Sequence, residues 1–363
     1  MVRIVKSRFA ILSGIAIGVA FAQEPAAADL GHVTFQAQTR LVMVPFHAGR
    51  GSTSVTNLEQ SDIVLLEDGK PREFTIFDVP SGADRMPIEL VLLFDANPRA
   101  GRLWDPAGVF QFIKQWDDSM SRALLQSGGA DVRVSVYRCA GRRLYRSTQA
   151  TSDPGTVTHA LRGLLAPPPS KPEPGTVTEL SLPPHRTPVD STGRYTEDYV
   201  TSRFLKAEDR GWTLEAAIGL LNAMSSPEDR VSRVLVMFSE GIGATTTIPE
   251  DVGDQALDLG IPIYPVATNY KGHITRLVPR NLFRMDQFEA LGKMTGGRAV
   301  EYKSIDAATL GKILSDVKSH ALEQYVVGFV PGSNTAPKQH SLEIRFALPG
   351  NTTIEGGKRR AVY

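Results

Sequence analysis

One stretch constrains this chain more than any other: Ile88–Arg99, IELVLLFDANPR. Five apolar residues, Leu90 to Phe94, run straight into an aspartate and then into Ala96-Asn97-Pro98-Arg99. An unbroken apolar run bounded by turn formers reads as a strand buried on both faces at the centre of a parallel sheet. Asp95 falls where such a strand ends. In open α/β sheets ligands bind in the crevice outside the carboxyl ends of the strands, so Asp95 is the first candidate functional residue.

The rest of the chain is read around that strand. Its 363 residues allow two domains or one large one. Residues 33–79 carry strand signals: Val33–Phe35, Leu41–Phe46, then Leu58–Pro71 as a short polar segment, a strand and an Asp68-Gly69 hairpin turn, and Phe74–Phe77 as the return strand. From Ile88 strands and helices alternate. Helical spacing covers Pro106–Leu125, Val157–Leu165, Thr213–Met224, Pro249–Leu259, Phe283–Met294 and Ile305–Glu323. Strands fall at Val132–Tyr137, at Arg142–Arg146 as a short edge strand, and at Val231–Phe238, 260–267 and Gly297–Glu301. Residues 166–196 hold APPPSKPEPG and LPPHRTPVDSTGR and read as an exposed Pro-rich insertion. The tail returns to strands at Gln324–Val330, Ser341–Leu348 and Arg359–Tyr363.

Two β fragments at opposite ends, each too small alone, are expected to pair. The expected fold class is therefore α/β: a doubly wound, mostly parallel sheet over 86–322, with a β-sandwich-like accessory domain formed by residues 33–80 and 323–363.

Residues 1–22 read as a secretory signal peptide. Arg3, Lys6 and Arg8 precede an apolar core at Phe9–Val19, and Ala20-Phe21-Ala22 supplies a small-x-small cleavage site. That core is short for a spanning helix, which needs about 20 apolar residues. An exported, periplasmic or secreted protein is expected, with residues 23–32 as a flexible lead-in and no stable membrane span after cleavage. The net charge of +1 gives no electrostatic reason to expect nucleic acid. Cys139 is the only cysteine, so a disulfide within the chain is impossible; its alternating strand, VRVSVYRCA, reads as burying an inert thiol.

Three stretches, in order, resemble the von Willebrand factor A (VWA) domain. Asp95-Ala96-Asn97-Pro98-Arg99 stands where that family has Asp-x-Ser-x-Ser. Gly211–Ala217 resembles its loop-to-helix segment with a ligand threonine, here Thr213. Ser239-Glu240-Gly241 stands in place of its Thr-Asp-Gly. The flanks, Leu58–Pro71 and Gln324–Pro331, resemble the VWFA-related family of acidobacterial type, which is exported. The resemblance implies a Mg²⁺ site in which an aspartate, hydroxyls and a second acid hold a hard cation and leave a position for a partner's carboxylate. Here Asp95 keeps its carboxylate, Asn97 offers an amide oxygen, Thr213 keeps its hydroxyl, and Glu240 is the longer acid. Arg99 has no lone pair to give. Its guanidinium can instead bridge two carboxylates and take the cation's place. The alternative is a weak Mg²⁺ site on Asp95, Asn97, Thr213 and Glu240.

These readings converge on a non-enzymatic adhesion or interaction module, binding a protein partner through the loops after Asp95, Thr213 and Glu240 with no bound metal. The rival is a hydrolase using Asp95 and Glu240. The sequence supplies it no Gly-x-Ser-x-Gly elbow and no phosphate loop. The seven histidines show no metal-ligand spacing. Trp104 and Trp212 flank the two site loops, and Trp116 is expected in the core on its helix.

Overall fold

The structure, a computed structural model, describes residues 41–50, 53–80, 86–96, 98–99, 102–103, 113–126, 131–169, 171–180, 213–224, 231–238, 249–268, 285–302, 307–332, 338–348 and 350–362. The signal-peptide and lead-in readings over 1–32, and residues 181–196 of the Pro-rich stretch, lie outside them.

In chain order the strands are β1 (Val42–Arg50), β2 (Thr53–Ser54), β3 (Ile63–Glu67), β4 (Lys70–Arg72), β5 (Ile76–Asp78), β6 (Ile88–Asp95), β7 (Pro98–Arg99), β8 (Arg102–Leu103), β9 (Val132–Ala140), β10 (Arg143–Thr151), β11 (Val177–Glu179), β12 (Ser232–Phe238), β13 (Ile263–Thr268), β14 (Val300–Tyr302), β15 (Tyr325–Phe329), β16 (Gln339–Phe346), β17 (Thr353–Gly356) and β18 (Lys358–Val362). The helices are α1 (Asp118–Leu125), α2 (Pro154–Gly163), α3 (Thr213–Ala223), α4 (Pro249–Leu259), α5 (Met285–Thr295) and α6 (Ala307–Leu322).

β6 is buried along its whole length and sits fourth in a seven-stranded sheet ordered β11-β10-β9-β6-β12-β13-β14. Its alternation feeds two cores. Ile88, Leu90, Leu92 and Phe94 pack with residues of α1, α2 and α6. Val91 and Leu93 pack on the other face with α3, α4 and α5. Each such aliphatic side chain contributes roughly 1.5–3 kcal/mol by burial, so one strand anchors both layers.

The doubly wound, mostly parallel reading is corrected here. Among the described strand pairings only four are parallel: β6 with β9, β6 with β12, β12 with β13, and β13 with β14. β10 pairs antiparallel with both β9 and β11, and the two terminal sheets are wholly antiparallel. The molecule is built of mixed sheets, with six α-helices among the described residues. The cause is local. Gly141, at φ +58, turns the chain tightly between β9 and β10, and a tight turn joins only antiparallel neighbours. No crossover helix intervenes. The expected short edge strand is nine residues long, and β11, drawn from the Pro-rich stretch, pairs beyond it.

The terminal segments form two further sheets. One is ordered β17-β1-β15-β5, with β2 beside β1; the other is β18-β16-β3-β4. Both feed one core, which includes Val44, Phe46 and Leu65 with Tyr325, Val327 and Ile344. Asp68 (φ 50) and Gly69 (φ 80) make the left-handed two-residue turn that a hairpin prefers. The return strand is therefore Lys70–Arg72, not Phe74–Phe77. Ile76–Asp78 crosses to the other sheet and pairs with β15. Arg360 ties β18 to α4, its Nε 2.9 Å from Asp258 Oδ1.

Helix ends follow their caps. Asp117 accepts from Met120 N and starts α1 at Asp118, well inside the helical stretch read from sequence. Trp116 is buried, 1% exposed, but precedes that helix; its Nε1 donates to Ser121 Oγ at 2.8 Å. Pro249 opens α4, and Gly260 (φ +67) follows its end. No described helix is long and apolar enough to cross a membrane.

Candidate functional site

The strand order changes side at β6: it continues to β9 on one side, while β12 leads on to β13 and β14 on the other. A crevice outside the carboxyl ends of β6 and β12 is the expected ligand position in such an arrangement. Near those ends Phe94 and Phe238 stack at 4.5 Å and 3° in the core packed by α1, α2 and α6.

Asp95 ends β6 in register with Cys139 of β9 and is fully buried. The backbone then stays tied to β9, Ala96 N donating to Cys139 O at 2.8 Å. Cys139 is buried and in no disulfide, as the alternation of its strand implied. Asp95 shares its face of β6 with Val91 and Leu93, the face that α3 covers with Leu214, Ala217 and Leu221.

Thr213 is the first residue of α3 and is also fully buried. The far end of this helix lies at the amino ends of the strands, where Met224 O accepts from Arg233 Nη1 at 3.3 Å. An 11-residue helix is about 16 Å long, which returns Thr213 to the carboxyl end, on the face that carries Asp95. Its Oγ1 is buried with no hydrogen-bond partner among the described residues. Glu215, one position further than its neighbour Leu214, is buried too.

A carboxylate and a hydroxyl at one strand end are oxygen donors of the kind a hard cation takes. Among the described residues no group of three or more His, Cys, Asp or Glu could hold a metal ion. Asn97, Glu240, Trp104 and Trp212 lie outside the described residues. Arg99 is placed by its backbone alone, in β7, paired with Arg102 of β8.

The amino end of the same sheet carries charged and polar groups that periodicity does not single out. Glu89, six residues before Asp95 on the same face, is 8% exposed. It accepts from Ser135 Oγ at 2.7 Å and pairs with Arg233 Nε at 3.0 Å. Burial, then the Glu89 charge, pushes the Tyr137 hydroxyl up. An acid and a base inside two otherwise apolar strands, IELVLLF and SRVLVMF, were the available signal. A second group joins His47 of β1 to His320 of α6, with rings stacked 3.7 Å apart. No spacing could reveal that pair, 273 residues apart in sequence.

No family model matches the chain, and no curated protein sequence does. Solved structures overlap it in part. Proximal thread matrix protein 1 from the mussel byssus is 11% identical, with 74% of this chain covered, 51% of that one, and a TM-score of 0.38. This chain thus spans about half of that protein's length. The ArnB paralog VWA2 from Sulfolobus acidocaldarius, a VWA protein, is 9% identical over 89% of this chain and 76% of its own, with a TM-score of 0.34. The PilB minor pilin from Streptococcus sanguinis is 9% identical over 66% and 62%, with a TM-score of 0.37.

Proposed function

We propose that this chain is an exported, non-enzymatic binding module with a degenerate VWA-type adhesion site. It engages a protein partner with the loops that follow Asp95, Thr213 and Glu240, and the Arg99 guanidinium takes the place of the divalent cation. The observation that carries the reading is the pair Asp95 and Thr213. Both are fully buried at the same end and on the same face of the central sheet, and the Thr213 hydroxyl has no partner among the described residues. Leaving a buried hydroxyl unpaired costs about 1–3 kcal/mol. Such a cost is retained where the group serves a bound partner rather than the fold. A non-enzymatic role is supported by the sequence, where the acids come with no nucleophile elbow and no phosphate loop.

Calorimetric titration with Mg²⁺ and Mn²⁺ tests the metal-independent form. The expected result is no saturable binding; micromolar affinity abolished by Asp95→Asn would overturn the substitution of cation by arginine. Capture from envelope extract tests the partner. One protein retained by the wild type and lost with both Asp95→Asn and Thr213→Val, at unchanged thermal midpoint, supports the reading. Identical capture by all three proteins overturns it.

A further inference from the structure

A cavity of roughly 690 Å³ lies at the other end of the central sheet, between the first terminal sheet and α6. One wall is a polar stripe on α6 and its last turn: Asp316, Ser319, His320 and Glu323. Their spacing of i, i+3, i+4 and i+7 puts all four on one helix face. The facing wall comes from β1, β2 and β17, with His47, Thr53, Ser54 and Glu355. Arg298, exposed, completes the lining from the segment before β14.

The walls are held in place. Ser54 Oγ donates to Glu323 Oε2 at 2.5 Å, joining the two sides directly. His47, only 5% exposed, donates from Nε2 to the carbonyl of His320 at 2.7 Å, and the two rings stack. His320 Nδ1 lies 2.8 Å from the Tyr264 hydroxyl. Burial, followed by His47 and Arg298, holds the His320 imidazole down to about 3. That ring is therefore neutral, and the fixed charge of the lining is three carboxylates against one guanidinium.

This chemistry narrows the ligand. An anion would face the carboxylates. A bare transition-metal ion finds no group of three donors close enough among the described residues. A large apolar ligand finds no apolar side chain bigger than that of Ala48 in the lining. An N–H-rich cation finds carboxylate acceptors on both walls and hydroxyls between them. The volume lies within the range of small-ligand sites, about 300–1,000 Å³.

We propose that this cavity binds an organic cation, an alkylammonium or guanidinium group carried by a free polyamine or by a basic side chain of a peptide. Titration of the full chain with spermidine, and separately with acetyl-Lys-Gly-Lys-amide, at low ionic strength tests this. Saturable binding of either probe is expected. The Glu323→Gln/Glu355→Gln protein should bind about tenfold more weakly or worse, at an unchanged thermal midpoint, because glutamine keeps the bond from Ser54. Arg298→Gln, which removes the competing cation, should bind more tightly. Spermidine alone binding identifies free amines as the source; tighter binding of the peptide identifies a basic segment. No binding of either probe, binding unchanged in the double variant, or displacement by equimolar Mg²⁺ overturns the proposal.

Discussion

β6 carries two buried acids on one face, Glu89 at its start and Asp95 at its end, and their surroundings differ. Glu89 lies opposite Arg133 and Arg233 in register, takes a guanidinium from β12, and takes a hydroxyl from β9. Asp95 lies in register with the buried Cys139, on the face opposite the stacked Phe94 and Phe238. One acid takes a countercharge from the strand beside it; the other stands at the strand's carboxyl end, in register with a cysteine. The strand thus buries a carboxylate at each end, and the one at the amino end closes an ion pair with β12.

Substitution can break that contrast, and the largest effect should come from Glu89. Glu89→Leu leaves the part-buried Arg233 without this carboxylate and should cost about 2–3 kcal/mol in urea unfolding. Glu89→Leu/Arg233→Met should recover most of it, because two apolar side chains can fill the site of an ion pair. A double variant as unstable as the single one would place the cost elsewhere.

Acid should act next, again at the amino end. His320 is held near 3 in the folded protein, against about 6.5 when unfolded. The unfolded chain therefore binds a proton that the folded chain refuses. This contribution is fully present above pH 6.5 and is lost progressively as the pH falls toward 3. Its size is on the order of a few kcal/mol. His320→Gln should flatten the slope of stability against pH over that window, and an unchanged slope would assign acid sensitivity to other groups.

The smallest effect should have the opposite sign and lie at the carboxyl end. Thr213→Val keeps the shape and removes a buried hydroxyl that has no partner among the described residues. Stability should rise by about 1 kcal/mol, while the capture of a partner weakens. A loss of stability would mean that Thr213 serves the fold, as Glu89 does, and would erase the distinction between the two ends.

What was legible in the sequence followed from local physics. Ile88–Asp95 was visible because both faces of the strand are apolar. Pro249–Leu259 was visible because a proline and a glycine bracket it. The parallel reading failed beyond β9: two strands read with no helix between them form a hairpin, β10 is longer than the edge strand read there, and β11 adds a second antiparallel pairing. Lys70–Arg72 was missed because Lys-Pro-Arg has no strand propensity; Pro71 is tolerated in β4, at the sheet edge, and the Asp68-Gly69 turn fixes the register. β17 was missed because Thr-Ile-Glu-Gly looks like a turn until β1 is laid beside it. At the candidate site the end of the apolar run pointed to Asp95, and the resemblance to VWA segments pointed to Thr213. The His47–His320 stack exists only through long-range pairing, which no window of sequence contains.

That long-range pairing has a temporal consequence. β1 finds its neighbours β15 and β17 only after about 280 further residues have been made. At about 5–20 residues per second, synthesis leaves Val42–Arg50 without those neighbours for roughly 15–55 s. Over that interval an apolar, strand-forming segment is open to any passing edge. Emergence of β15 and β17, rather than of the first half, is when the terminal sheets can close. The rate of that closure should be set by loop entropy, slow and sensitive to crowding by other nascent chains.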